Sequence, residues 1–210
     1  MENNNGKGIF YGVIGVATLV VAIIGATFAY FSASASNDNV IKGNAATVGL
    51  NLAVTKVSTD ATGGLIPMND ADVSKGLEGD AATGDKMCVD KNGNTVCQVY
   101  EITVSNTGTS TAVVNGTLNI TGETFTNLKW QLLDGVSSDG LTTNDTYNPI
   151  SETTLATGES LAPTSGAATY FIMVWISNLG SDQSAADTGT FTGTVTFNSA
   201  DGAGISATFS

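Results

Sequence analysis

The groups that could do chemistry in this chain are few. It has no histidine, two cysteines, and 19 acidic residues against 7 basic ones. Without histidine there is no His-x-x-x-His zinc site, no Ser-His-Asp triad and no Cys–His pair, and no P-loop sequence occurs. Paired carboxylates could still do general acid–base work, as in glycosidases. One of them would then need apolar surroundings to raise its pKa, and no acidic residue lies inside a strongly apolar segment. No catalytic residue, cofactor or metal ligand is assigned, and the expectation is a protein that is not an enzyme.

Two patterns imitate metal sites. Asp90-Lys91-Asn92-Gly93-Asn94, with Glu101 at the twelfth position, resembles an EF-hand loop. The glycine expected at its sixth position is Thr95, and Glu101 falls in a strand whose Tyr100, Ile102 and Val104 point the other way. A run cannot be both a helix-flanked calcium loop and a paired strand, so the strand is preferred. Asp60, Asp70, Asp72, Glu78, Asp80 and Asp85 crowd the stretch 58–85, but not at regular ligand spacing. A calcium loop is the sharper reading of that stretch and a solvated insertion the plainer one.

Cys88 and Cys97 carry the most specific local signal. They lie symmetrically about Asn92-Gly93, the preferred pair for a two-residue type I′ hairpin. Counting outward from that turn makes them a non-hydrogen-bonded pair, about 4.5 Å apart at Cα. That distance suits a disulfide, so a stapled hairpin is expected.

The elements that must position these groups are strands. Val48, Leu50, Leu52 and Val54 alternate with polar or small residues, as do Val114–Ile120, Leu128–Leu132 and Phe191–Phe197, and Ile205, Ala207 and Phe209 close the series. Period-two runs separated by Gly/Asn/Asp/Ser turns predict an all-β fold, an antiparallel β-sandwich or jelly roll. It would occupy residues 48–210, with a loop insertion at about 58–85 and a polar loop from Asp134 to Pro149. The run Tyr170–Ile176 is apolar on both faces, so something must cover Phe171, Met173 and Trp175. The candidates are one of the chain's own loops (58–85 or 134–167), a neighbouring subunit, or a flat sugar stacked on Trp175.

Ahead of the strands, Ile9–Phe31 is an apolar run of 23 residues. As a helix it would be roughly 34 Å long, enough to cross a bilayer core of about 30 Å. It reads as a hydrophobic helix preceding the sandwich, either a signal peptide over 1–29 or a retained membrane anchor. Residues 30–47 then form an extended polar arm. The formal charge of −12 argues against nucleic acid and anionic membrane surfaces as partners. Two cysteines fit an oxidising compartment.

Gly25-Ala26-Thr27-Phe28-Ala29-Tyr30-Phe31-Ser32 resembles the amino-terminal signals of the TasA/camelysin family, and Val48-Gly49-Leu50-Asn51-Leu52 is similar to that family's first strand. The resemblance covers about fifty residues. It implies a Gram-positive exported protein, cut between Ala29 and Tyr30 by a SipW-type signal peptidase, that serves as a fibre or biofilm-matrix subunit. Camelysin-type members are described as metallopeptidases, which the missing histidines oppose here. The implied partner is the chain itself as a head-to-tail homopolymer. Tyr30, Phe31, Val40 and Ile41 of the freed arm would add as a strand to the next subunit. Before processing, the helix would place the chain in the membrane. A surface binding module or adhesin, secreted or anchored, is the competing expectation. A type IV pilin-like subunit cut after Gly8 is the third.

Overall fold

A computed structural model describes residues 47–59, 61, 65–122, 127–144, 148–149, 153–180 and 191–210. The apolar run, the Ala29/Tyr30 junction and the arm residues Tyr30, Phe31, Val40 and Ile41 lie outside the described residues. Among the described residues, no helix is long and apolar enough to cross a membrane.

Among the described residues, nine strands form two antiparallel sheets. In chain order they are β1 (Leu50–Lys56), β2 (Gln98–Asn106), β3 (Ala112–Gly122), β4 (Leu128–Leu133), β5 (Asn148–Pro149), β6 (Thr154–Leu161), β7 (Ala167–Ile176), β8 (Phe191–Ser199) and β9 (Gly204–Phe209). One sheet runs β1-β2-β7-β4-β5 and the other β6-β3-β8-β9. The all-β expectation therefore holds, and alternation explains it. Ile102, Leu118, Ile172, Val195 and Phe197 pack between the sheets with Trp130, while their sequence neighbours face outward.

Two glycines on the inner face of the second sheet make room for aromatic rings. A Cβ on Gly193 would lie 2.0 Å from Cζ of its cross-strand partner Phe209, and one on Gly116 would lie 2.6 Å from Cε1 of Phe197. Each ring thus covers the backbone its partner leaves bare, which shields a strand position that glycine would otherwise weaken. Alternation alone did not reveal β6. Gly158 and Glu159 interrupt its pattern, and its register with β3 shifts twice.

The described residues of the stretch expected as a loop insertion, about 58–85, are not irregular throughout. They contain a 3-10 turn (Asp70–Asp72), a short helix α1 (Val73–Glu78) and a second 3-10 turn (Ala81–Thr83). Val73, Leu77, Met68, Cys88 and Val96 form a second core with Phe171, Met173 and Trp175. The outer face of β7 is therefore covered by the chain itself. Trp175 is 0% exposed, which removes both the stacked sugar and the neighbouring subunit as its cover.

Candidate functional site

The insertion is tied down by backbone first. The Met68 amide donates to the Ile176 carbonyl and the Asn178 amide to the Met68 carbonyl, both at 2.9 Å, while the Ile66 amide donates to Thr95. These bonds run the stretch around Met68 alongside the end of β7. Asp70 follows two residues later. It meets Lys129 from β4 in a short ion pair and accepts a hydrogen bond from Trp175 Nε1 at 3.0 Å. Burial alone would raise the Asp70 pKa. Hydrogen bonds from Lys129, Trp175 and Ser177, together with the lysine charge, outweigh it and hold the carboxyl below its ordinary 3.8. One carboxylate thereby fastens the insertion to two strands of the sheet.

The Cys88–Cys97 disulfide is formed, with Cα atoms 4.9 Å apart. Its hairpin differs from the two-residue turn expected. Val89 pairs with Thr95, and the Val96 amide donates to Cys88, so the register is one residue off the symmetric arrangement. The loop is a type I turn closed by the Gly93 amide donating to the Asp90 carbonyl, with Gly93 at φ +82° as the bulge residue. The cause is Asp90. Its carboxylate accepts from the amides of Asn92 and Asn94 and from Asn94 Nδ2, which favours type I geometry over type I′. Burial pulls its pKa up, but those donors hold it lower. An aspartate two residues before Asn-Gly was the readable signal for this turn.

Beside the hairpin, α1 and Asn178 border a cleft of about 570 Å³. Ile66, Met68 and Val96 line it, and Asp72, Asp80 and Asp90 stand on its rim. Each rim carboxylate is already engaged. Asp72 pairs with Lys75, whose hydrogen bond, helped by that of Asn69, lowers its pKa. Asp80 caps the Ala82 amide at 2.8 Å, and Asp90 holds its own turn. Among the described residues, no group of three His, Cys, Asp or Glu side chains is placed to hold a metal ion.

The second feature is a seam at one side of the sandwich. The edge strands β1 and β9 lie beside each other but belong to different sheets. Among the described residues, each is paired on one side only, β1 to β2 and β9 to β8. Leu50, Leu52, Val54 and Ile205 along this seam pack against the core yet remain half-buried. Such edges offer unpaired backbone donors and acceptors next to apolar side chains.

No known family profile and no curated protein matches the chain. Among solved structures, it is similar to a Bordetella pertussis protein provisionally named ApaA. The identity is 15%, the alignment covers 79% of this chain and 91% of that one, and the TM-score is 0.26. A likeness that weak contributes nothing to the assignment of fold or function.

Proposed function

We propose that the chain is an exported structural subunit of a cell-surface fibre or biofilm matrix. Residues 30–41 of one copy add as a strand to the β1/β9 seam of the next. The observation that carries this reading is the half-buried apolar seam between two singly paired edges. It offers what strand addition uses, unpaired main-chain donors and acceptors beside half-buried apolar side chains. The outer face of β7, at Phe171, Met173 and Trp175, is packed against Met68, Val73, Leu77 and Val96 and is not the acceptor. The arm residues Tyr30, Phe31, Val40 and Ile41 are apolar anchors in an otherwise small and polar segment that buries too little to fold alone. Head-to-tail addition of this kind is heterologous, so it propagates into filaments instead of closing as a dimer.

The test is deletion of Tyr30–Ile41 with Val48 onward intact. Soluble, folded monomers that no longer form fibres are expected. Fibres of unchanged length would sink strand addition by the arm. Amino-terminal sequencing of the extracellular form separates the neighbouring readings. A start at Tyr30 supports the SipW-type signal, a start at Ile9 the pilin-like alternative, and an intact terminus a retained anchor.

A further inference from the structure

Among the described residues, the strands of the second sheet put no charged side chain on its outer face, in a chain whose net charge is −12. Strands β3, β6, β8 and β9 contain a single ionisable residue, Glu159. Its register partner is the buried Val114, which puts Glu159 on the inner side of its strand. There, after burial, its charge helps push the neighbouring Tyr170 phenol up to about 12. What faces outward is a grid of threonine, asparagine and serine in register across three strands. One row is Thr117–Thr196–Ser206 and the next Asn119–Thr194–Thr208. The first row is linked by Thr196 Oγ1 and Ser206 Oγ at 2.8 Å. The side chains of the second make no hydrogen bond among the described residues.

We infer that this face is where copies of the chain meet side by side, face to face. The inference builds on the fibre reading and adds the lateral contact that turns filaments into a matrix. Electrostatics chooses the occupant. Two acidic copies repel wherever carboxylates come within a Debye length, about 8 Å at physiological salt. Sheet faces stack at about 10 Å, so only a face without carboxylates lets them do so cheaply. Threonine suits that contact because its branched side chain has little rotamer freedom to lose, while its hydroxyl and methyl can serve a like neighbour.

Size sets the strength. Four strands at about 4.8 Å spacing and some eight residues at about 3.3 Å give roughly 500 Å² per copy, about 1,000 Å² in total. That is below the roughly 1,200–2,000 Å² of stable interfaces and in the size class of weak, transient ones. Two free subunits therefore pair too weakly to persist, whereas rows of them adhere through multivalency.

The test arrays the mature chain on streptavidin beads through a biotinylated carboxy-terminal tag, so that contact is multivalent whether or not filaments form. Wild-type beads are expected to cluster at about 0.15 M salt. Asn198, exposed and paired with Asn115 and Gly204, lies on the same face. Beads carrying Asn119→Asp with Asn198→Asp, near-isosteric changes expected to leave Tm unaltered, should cluster roughly tenfold less. Mixing these with Asn119→Lys/Asn198→Lys beads should restore clustering. Wild-type beads that stay dispersed, or clustering indifferent to the aspartates, overturns the proposal. Wild-type beads that gather only when matrix polysaccharide is added overturn it in favour of a glycan. Filament growth is scored separately on the untethered chain by electron microscopy, and its failure counts against the fibre reading alone.

Discussion

Asp70 shows how much a single carboxylate can organise when its partners come from different elements. Lys129 on β4 and the Trp175 indole on β7 both donate to it, and neither is near it in sequence. Replacing it with alanine leaves a buried indole N–H without this acceptor and should cost about 1–3 kcal/mol in urea unfolding at neutral pH. The sign of the pH effect follows from the depressed pKa. Asp70 ionises more readily folded than unfolded, so its contribution is present above about pH 4 and fades as pH falls through the lower folded value. Asp70→Asn should therefore flatten the acid limb of stability while sparing the neutral plateau more than Asp70→Ala does. Trp175 itself is fully enclosed, so Trp175→Ala should cost about 3–5 kcal/mol of monomer stability. A variant that unfolds normally but fails only in assembly would contradict the internal cover.

At the scale of elements, the insertion at 57–97 is a small second layer on the outer face of β7. It holds together through one disulfide, one short helix and the apolar cluster around Met173. The staple contributes about 2–3 kcal/mol on the chain-entropy account. Since it closes only the hairpin, its loss should act locally. Cys88→Ser/Cys97→Ser, or reduction, should raise hydrogen exchange across residues 66–97 first, while β2 and β7 stay protected by their partners in the sheet. Uniform acceleration throughout the sandwich would mean that the insertion and sandwich unfold as one unit. The edges behave differently from the insertion. Among the described residues, β1 and β9 are singly paired and half-covered, which is why the proposed entry of a neighbour is placed there.

For the molecule as a whole, charge opposes association, and the proposed contacts at the sheet edges and neutral face must act against it. The sequence pI is about 4.1, so self-repulsion falls as pH drops towards that value. Light scattering of the mature chain should rise on acidification towards pH 4 and also on adding salt at neutral pH, since both weaken carboxylate repulsion. Association that salt dissolves would mean opposite charges drive it, and would count against both contacts proposed.

The sequence by itself determined which residues face inward, because strand period is local: Ile102, Leu118, Val195 and Phe197 all alternate with polar neighbours and all are buried. It also determined the absence of histidine chemistry and the pairing of Cys88 with Cys97, its two cysteines, nine residues apart. It left β6 hidden, because a bulge at Gly158 breaks the period, and it misplaced the hairpin register, because a side chain overrode the usual turn for Asn-Gly. The cover over Trp175, the meeting of Asp70 with partners 59 and 105 residues away, and the gathering of neutral strands into one face were decided only by the tertiary structure. Each depends on which strands pair and in what register. Those choices rest on packing between distant segments, which no local pattern encodes.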